Sequence, residues 1–571
     1  MFVDRCEYTT KYGKIHVRYL LRESFRENGK VRHRTVLNLT PYGEETALAI
    51  QFALKHRREL AQTARRLPGA TVRQGLSVGA VWVLFQLAME LGIVEALGDT
   101  REGKLALWQV LARAIGQGSR LSAVRLASEH AACDVLDLDS FHEDDLYENL
   151  DWLTENQSKI EQRLFNKTKK LQEKHALKRE PDSKKNRDDY HSSETIFLYD
   201  VTSSYFEGAH NELAAFGHNR DGKKGKRQVV AGLLCNGQGI PLSVELFRGN
   251  TQDPKTMGPQ IRKAAERFGA EHVVFVGDRG MIKGPQMKEI GAAGFHYITA
   301  ISKPQIETLL SQGEIQMGLF DETLNEIITR EGRRHILRRN PFRAEEMAAT
   351  REDKKDSVRQ LDEKQNAYLA EHPRASVEVA VRKVAERISR LRLDGWLRVA
   401  ADGRRLLLKE DVEALAETSK LDGCYCLTTD LTAEQASKKT VHDRYKDLAQ
   451  VERAFRTSKT GHLELRPIHV RLESRTRGHA LVVMLAYRLV MELARRWRGQ
   501  DMTVEEGLHS LATLCAVEVQ LGSKSPTVNE IPQPRASLQR LLTATGISLP
   551  AAIPHKGVRV STKKKLTSRR K

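Results

Sequence analysis

The most restrictive feature of this 571-residue chain is a series of five short apolar segments between residues 195 and 301. They are rich in β-branched and aromatic residues and predict strands: TIFLYDVTSSYF, QVVAGLLCN, IPLSVELF, HVVFVGD and HYITAI. Gly237 and Gly239 predict a hairpin between the second and third strands. Between the third and fourth lies a helical segment that begins at Asp253 and Pro254 and stops before Gly269. The order strand, strand, strand, helix, strand, helix, strand predicts a mixed α/β sheet.

Two of these strands carry an acidic residue. Asp200 interrupts the apolar run IFLYDV, and Asp278 directly follows VVFVG. An ionised carboxylate inside a central strand is costly unless a metal ion or a basic group accompanies it. If the two strands are neighbours, both carboxylates meet at one rim of the sheet. The structural alternatives are a buried Asp paired with an Arg at the first position and an Asp that caps a turn at the second.

A third carboxylate, Glu452, lies in the helical segment VHDRYKDLAQVERAFRTSKT. The spacing places Tyr445, Glu452, Arg456 and Lys459 on one helix face, beside an apolar stripe that includes Leu448 and can pack on the sheet. Three carboxylates on rigid elements are what phosphodiester transfer with two divalent ions requires, and hard oxygen ligands suit Mg²⁺. An amphipathic helix with a solvated Glu-Arg pair is the structural alternative.

Charge indicates the class of partner. The chain has 93 Lys and Arg residues against 74 Asp and Glu, a net charge of +19. Such an excess makes a polyanion, above all nucleic acid, the first partner to consider, although many basic proteins bind none. No apolar run approaches a membrane span, the N-terminus lacks a signal-peptide core, and the six cysteines form no CxxC pair. We therefore expect a cytoplasmic protein, associated with the nucleoid, that has no membrane partner.

The flanking sequence predicts further units. Residues 1–165 begin with a hairpin and continue as helices, two of which are separated at Gly116 to Ser119; this pattern fits a DNA-binding helix-turn-helix motif and equally an ordinary helical bundle. The expected boundaries are a mainly helical N-terminal domain at 1–165, a charged linker or solvated helix at 166–195, two parts of the core at 196–303 and 422–500, an inserted subdomain at 304–421, and a C-terminal region with a basic tail at 501–571.

These motifs together carry a family resemblance. The sequence resembles the DDE transposases of bacterial insertion sequences, in the group with a Tyr-x2-Arg-x3-Glu-x6-Lys motif. YKDLAQVERAFRTSK matches that motif at Tyr445, Glu452 and Lys459 but has Leu448 at the Arg position. Further similarity lies in LYDVTSSYFEG, RDGKKGKRQVVAGLL, GIPLSVELFRGNTQDPKTM and VFVGDRGMI, so that the motifs cover residues 197–488.

The resemblance implies a ribonuclease H-like catalytic core, with a large insertion before the helix of the catalytic glutamate and a mainly helical domain in front that binds DNA ends. It implies Asp200, Asp278 and Glu452 as ligands of two Mg²⁺ ions, for which Mn²⁺ can substitute. The implied and predicted contacts to DNA phosphates are Tyr445, Lys459, Arg456, Arg279, Lys223, Lys224 and Arg227. The implied partners are the transposon ends and target DNA, held by a homodimer in a synaptic complex.

The reaction that follows from this resemblance is cleavage of a transposon end by water, after which the freed 3′-hydroxyl attacks target DNA. The sequence leaves two other functions open. One is a stand-alone metal-dependent nuclease, and the other is a DNA-binding protein that has lost catalysis. The presence of all three carboxylates favours an active transposase.

Overall fold

The structure of the protein is a computed structural model. This structure describes residues 1–9, 15–27, 29–55, 70–177, 195–208, 210–270, 272–459, 463–466, 470–521 and 527–563. The chain divides into two compact units. The first unit comprises residues 1–76, 515–533 and 549–555, and the second unit comprises the rest.

The strands, in chain order, are β1 Phe2–Thr9, β2 Ile15–Glu27, β3 Lys30–Asn38, β4 Ala70–Ser77, β5 Thr195–Phe206, β6 Arg227–Asn236, β7 Pro241–Arg248, β8 Val273–Val276, β9 His296–Ala300, β10 Asn325–Ile328, β11 Arg334–Arg339, β12 Leu397–Asp402, β13 Arg405–Glu410, β14 Cys424–Thr429, β15 Cys515–Leu521, β16 Val528–Glu530 and β17 Ala552–Ile553. The α-helices are α1 Gly43–Lys55, α2 Gly79–Glu90, α3 Ile93–Leu97, α4 Arg101–Ile115, α5 Arg120–Glu129, α6 Ala132–Leu136, α7 Glu143–Leu177, α8 Asp253–Arg262, α9 Gly284–Ala292, α10 Lys303–Ser311, α11 Pro341–Glu371, α12 Val377–Arg390, α13 Val412–Ser419, α14 Lys438–Lys446, α15 Leu448–Lys459, α16 Glu473–Arg496, α17 Val504–Ala512 and α18 Ala536–Thr545.

The first unit contains two small sheets. Strands β1, β2 and β3 form an antiparallel sheet in that order, so the predicted hairpin is present and β1, which the sequence analysis did not predict, is added to its edge. Helix α1 covers this sheet, and Val3, Tyr19, Leu39 and Ala47 form the core between them. The second sheet has the strand order β17-β16-β15-β4. Residues 1–38 are therefore largely strand, and the helices of the N-terminal region follow them.

The second unit begins with the helices α2 to α7. Helices α4 and α5 are separated at residues 116–119, as the sequence predicts. Arg120, the first residue of α5, is buried, so this helix start is not presented to a DNA groove and the helical-bundle alternative is favoured. Helix α7 continues to Leu177, which makes the first part of the predicted linker helical; residues 178–194 lie outside the described part of the chain.

A large mixed sheet forms the centre of the second unit. Its order is β10-β11-β14-β9-β8-β5-β6-β7, and it contains all five strands predicted between residues 195 and 301. Strand β5 is antiparallel to β6 and parallel to β8. Both strands can be apolar along most of their length because helices cover the sheet, and Phe197 and Phe275 are fully buried in the resulting core. Helix α15 packs against β5.

The inserted region has two parts. Strands β10 and β11 extend the large sheet by pairing with each other and with β14, a role that the sequence analysis did not predict. Helices α11, α12 and α13 surround the β12–β13 hairpin and share a separate core that includes Val384, Ile388 and Trp396. Apolar residues of α12 thus face this core, and the hairpin turns at Gly403.

Two further features bear on the predictions. The basic tail starts against the second unit's helices, because Lys556 forms an ion pair with Asp137 and the Lys563 N–H donates to Glu143. Residues 564–571 of the tail lie outside the described residues. Over the part of the chain that the structure describes, no helix is both long enough and apolar enough to cross a bilayer.

Candidate active site

Asp200 and Asp278 occupy equivalent positions on neighbouring parallel strands. In the register of β5 and β8, Leu198 lies opposite Val276, and each acid follows its strand partner by two residues. The carboxyl ends of adjacent parallel strands meet at one edge of a sheet, so the register brings both carboxylates to that edge. Asp200 is half-buried, whereas Asp278 is exposed just beyond the end of β8. The two acids therefore border the same opening.

Glu452 reaches this edge from α15. Leu448, Val451 and Phe455 are buried on one side of that helix, and Glu452 is exposed on another. Because α15 packs on β5, its exposed acid is carried to the strand that holds Asp200. The residue at the Arg position of the family motif, Leu448, belongs to the buried stripe.

The predicted single helix around Glu452 is wrong in one respect. Residues 438–459 form two helices, α14 and α15, which are interrupted at Asp447. The Asp447 carboxylate pairs with Arg444 and accepts a hydrogen bond from the Gln450 side chain, while its carbonyl accepts from the Gln450 N–H. Such local bonds from an Asp compete with regular helix hydrogen bonding. Tyr445 thus lies on a different helix from Glu452, and the shared helix face is not continuous.

Electrostatics show that the three acids form one cluster, called here the acid cluster. Burial, followed by the charges of Asp278 and Glu452, raises the pKa of Asp200 to about 7, against the lowering effects of a hydrogen bond from the Val201 N–H and of Arg220. Neighbouring carboxylates raise one another's pKa because each disfavours the other's ionised form. A group of like charges at an opening of the sheet is unfavourable without a cation.

Tyr445 and Arg279 lie beside the acid cluster. Burial and the charges of Asp278, Glu452 and Asp200 raise the pKa of Tyr445 to about 12, and Arg279 opposes this effect. The phenol is therefore neutral at physiological pH and can donate a hydrogen bond. Despite the interruption at Asp447, the structure brings Tyr445 together with all three acids.

A braced loop adjoins β5. Arg220 donates to the Val201 carbonyl and forms an ion pair with Asp253, the first residue of α8. Asp221, the next residue, forms an ion pair with Lys459 and accepts a hydrogen bond from the Tyr205 N–H at 3.1 Å. Arg220 and Lys459, two cations near the acid cluster, are thus each paired with an acid outside the cluster. The loop is fixed to β5, α8 and α15 at once.

Lys459 is less exposed than a residue of a solvated helix face. Only 18% of its side chain is exposed, and its Nζ donates to Thr202 Oγ1 at 3.1 Å as well as to Asp221. Thr202 lies two residues after Asp200 on β5, and alternate residues of a strand point to the same side. The ammonium group is therefore positioned on the side of the strand that carries Asp200.

The remaining predicted DNA contacts lie around this region rather than in the acid cluster. Arg456 is exposed on α15, and Lys223, Lys224 and Arg227 are exposed in the loop before β6 and at its start. Lys223 lies over the Tyr205 ring and Arg227 over the exposed Phe216 ring. All four side chains are placed where solvent reaches them.

The acid cluster fits Mg²⁺ by its donor chemistry. In the described part of the chain, no three His, Cys, Asp or Glu side chains are gathered tightly enough to enclose a single ion. Mg²⁺ does not require such a cage, because it is commonly bound by one or two carboxylates together with waters and substrate phosphates. Hard carboxylate oxygens suit a divalent ion, and so does a half-buried Asp200 whose neighbouring cations, Arg220 and Lys459, are paired with other acids.

Sequence reasoning missed Arg220, Asp221 and Asp253. In the sequence, RDGKKGK is conspicuous for its Lys and Arg residues, and Asp253 only as the start of a helical segment. Asp253 does begin α8, but its carboxylate also pairs with Arg220. An acidic residue directly beside the basic run was the available signal. It could not identify the partners, which are distant in sequence.

A polar cleft of about 400 Å³ lies beside the turn that follows β8. Its walls come from β5, the braced loop, the start of α8 and the turn after β8, with Ser203, Arg220, Asn250, Asp253, Gly280 and Lys283 among the lining residues. The Gly280 N–H, in the turn that lines the cleft, donates to Asp278 Oδ1 and fixes the position of this carboxylate.

Replacing Gly280 by Ala is expected to lower DNA cleavage about tenfold or more. A Cβ at this position would lie 2.9 Å from Asp278 Oδ1, so the carboxylate must move, and misplacing a catalytic group by even about 1 Å is costly. The comparison is Gly284→Ala, because a Cβ at Gly284 meets no atom within 4 Å. Equal cleavage rates and melting temperatures for the two variants would show that the position of Asp278 is not critical.

Comparisons with known proteins identify the family of this chain. Residues 191–489, just over half of the chain, match the family model described as the transposase DDE domain. Residues 7–67 match the model described as the IS1634 family transposase, N-terminal domain. The matches define a transposase. The chain belongs to the DDE transposases of insertion sequences, which confirms the resemblance noted from its motifs.

Other comparisons are more distant. A cryo-EM structure of the piggyBac transposase synaptic complex with hairpin DNA aligns with a TM-score of 0.30 and 7% identity, over 61% of this chain and 57% of that chain. The comparison with curated proteins gave no match.

Proposed function

We propose that this transposase binds the terminal inverted repeats of an insertion sequence, cleaves the ends and joins each 3′-hydroxyl to target DNA. The observation that carries the proposal is the acid cluster: Asp200 and Asp278 at equivalent positions on β5 and β8, and Glu452 brought to them by α15. We further propose that the large mixed sheet is a ribonuclease H-like core with its insertion before α14 and α15.

Asp200, Asp278 and Glu452 would hold two Mg²⁺ ions, and Mn²⁺ would substitute. Bound divalent ions lower the pKa of an attacking water or hydroxyl and neutralise charge on the leaving oxygen. The protein's own part is to hold the three carboxylates on two strands and a helix, so that little reorganisation is needed when DNA arrives. The high pKa of Tyr445 keeps its hydroxyl protonated, so it donates a hydrogen bond to a phosphate oxygen near the cut.

The surrounding cations would position the DNA. Arg279 lies next to Asp278 and Tyr445, and Lys459 lies on the Asp200 side of β5. The exposed residues Arg456, Lys223, Lys224 and Arg227 extend this basic surface. Contacts of this kind bind phosphates and set register without reading sequence. We propose that two copies of the chain act together on two ends.

The proposal is tested with the purified full-length protein and a duplex that carries the inverted repeats flanking its gene. With Mg²⁺ or Mn²⁺, we expect cleavage at the repeat end that leaves a 3′-hydroxyl, and joining of that end to a target plasmid. Cleavage without joining would identify a nuclease. Repeat binding without cleavage would identify a DNA-binding protein that has lost catalysis, and either outcome would overturn the proposed function.

A further inference from the structure

A second polar cavity lies in the second unit, apart from the acid cluster. It has a volume of about 190 Å³. Arg113 at the end of α4, the 117–119 turn, Arg120 at the start of α5 and His479 on α16 line it, together with Tyr147 and the 464–466 segment. Gln117 at the turn is exposed, whereas Arg113, Arg120 and His479 are each at least 95% buried. The cavity therefore has an open mouth and a buried cationic floor.

Neither of the two arginines forms an ion pair with a described residue. Arg113 donates to the Gly118 carbonyl at 2.7 Å and Arg120 to His479 Nδ1 at 2.8 Å, both neutral acceptors. Among the described residues, the Nε atoms of both arginines have no hydrogen-bond partner. Burial lowers the pKa of Arg113 to about 10, against a raising effect of the Glu464 charge. Burial and the charge of Arg113 lower the pKa of Arg120 to about 9. Two buried guanidinium groups close together are costly unless an anion accompanies them.

His479 cannot supply that anion or add to the positive charge. Burial and the two arginines lower its pKa far below the ordinary value, so the ring is neutral. Because Nδ1 accepts from Arg120, the proton lies on Nε2, which donates to the Glu464 carbonyl at 3.2 Å. This tautomer fixes the Arg120 guanidinium in place. His479 therefore orients the Arg120 guanidinium, whose Nε–H group is left for another acceptor.

Glu464 is the one acid among the described residues that line the cavity, and it is paired with Arg466. The Glu464 carboxylate is bound by Arg466 through two hydrogen bonds, Nε to Oε1 at 2.5 Å and Nη2 to Oε2 at 2.8 Å. Glu464 is held with a left-handed backbone, φ 46°, which a non-glycine residue adopts at a cost. The Glu464 and Arg466 charges cancel, and Arg113 and Arg120 give the cavity its net positive charge.

The chemistry of the cavity suits a phosphate group. Forked guanidinium donors match the oxygens of phosphate, and two arginines can share one anion with two negative or partly negative oxygens. The volume equals roughly six water molecules, which is enough for a phosphate and part of its substituent. Arg466 connects the cavity to β5, because it donates to the Tyr205 hydroxyl and stacks on the Tyr205 ring at 4.8 Å. A ligand here would lie alongside the strand that carries Asp200.

We propose that the Arg113–Arg120–His479 cavity is a phosphate-binding site that takes a backbone phosphate of the DNA on which the enzyme acts. The identity of the ligand as DNA rests on the proposed function, whereas the phosphate site itself does not. In this assignment the turn between α4 and α5 contacts DNA through a buried anchor and not through an exposed recognition helix.

The first test uses inorganic phosphate as the probe and needs neither metal nor cleavage. The melting temperature of the full-length protein is measured in phosphate and in chloride at equal ionic strength. A ligand that binds only the folded state raises the melting temperature with its concentration. We expect a larger rise in wild type and in Asp200→Asn than in Arg113→Gln or Arg120→Gln, in which only the general stabilising effect of phosphate remains. Arg125→Gln, which removes an exposed charge from the same helix α5, is the matched control and should behave as wild type.

Arg113→Lys is the control for variants that fail to fold, because it keeps the positive charge but removes the two-pronged guanidinium donor. This variant should retain the fold and show a smaller rise in melting temperature with phosphate.

The second test measures affinity for a DNA duplex. Arg120→Gln should lower this affinity at least tenfold and lower the slope of log affinity against log salt by about one unit. Equal losses on 5′-phosphorylated and 5′-hydroxyl duplexes support a backbone phosphate as the ligand, and a loss confined to phosphorylated ends would contradict it.

Two outcomes would overturn the site. One is a melting temperature that does not respond to phosphate beyond its response to chloride. The other is an equal response in wild type, Arg113→Gln and Arg120→Gln. A protein that passes the phosphate test but cleaves no DNA would retain this site and lose the proposed function, so the two failures are distinguishable.

Discussion

Asp200→Asn, Asp278→Asn and Glu452→Gln are each expected to lower DNA cleavage about a thousandfold or more while DNA affinity changes little. The amides keep the size and hydrogen-bonding capacity of the side chains but remove an ionised oxygen that can bind Mg²⁺. The rate is measured on a repeat-end duplex with Mg²⁺. Glu289→Gln on α9 is the control, because it removes an acid from the same core at an ion pair with Arg262. A variant that cleaves at the wild-type rate would remove its residue from the site.

Stability separates a lost ligand from a damaged fold. Folding raises the pKa of Asp200 from 3.8 to about 7, so the folded state binds more protons between these pH values. Stability without metal therefore falls as pH rises through that window. Asp200→Asn should lack this fall and should melt no lower than wild type at neutral pH. It should also lose the stabilisation that Mg²⁺ gives to wild type, and a lower melting temperature at every pH would instead indicate a structural role.

The part of the site on the sheet could be predicted because its signals are local. Strands β5 and β8 are buried apolar runs, and an acid at or just beyond the end of each run is conspicuous in sequence. The prediction that the two acids meet assumed that β5 and β8 are neighbouring strands, and the register of Leu198 with Val276 confirms that they are. The helix of Glu452 was predicted from its apolar stripe, and Leu448, Val451 and Phe455 are buried as expected.

The missed features depend on contacts between distant residues. Strands β10 and β11 are too short and too polar to be recognised, and they become strands by pairing with β14. The interruption at Asp447 comes from side-chain bonds within one turn of helix, which the period of the apolar stripe does not reveal. Periodicity predicts which face is buried. It does not predict which charge on the other face meets which acid.

Lys459 illustrates this limit, because sequence placed it on an exposed face and the structure pairs it with Asp221. Two roles are compatible with that position. As a phosphate contact, its ammonium group leaves Asp221 for a DNA oxygen beside Asp200. As a brace, it only holds the loop with Arg220 and Asp221 against β5. The two roles predict different behaviour of Asp221.

We propose the first role and expect Lys459→Ala to lower cleavage about a hundredfold. It should also weaken DNA binding and lower the salt slope by about one unit, because one phosphate contact is lost. The free energy of unfolding should fall by roughly 1–3 kcal/mol, because the largely buried Asp221 carboxylate loses its cation and keeps the hydrogen bond from the Tyr205 N–H. Arg453→Ala on the same helix is the control; that side chain is exposed and borders a different cleft, beside Tyr487.

Asp221→Asn decides between the two roles. If Lys459 holds a phosphate, this variant keeps the ammonium group and removes its competitor, so DNA affinity should be retained or increased and cleavage should remain within about tenfold of wild type. If Lys459 is only a brace, breaking the pair from either side releases the same loop, and the two variants should lose cleavage equally with no change in salt slope. Equal losses with unchanged slopes would therefore remove Lys459 from the DNA contacts and leave it as a support for the strand that carries Asp200.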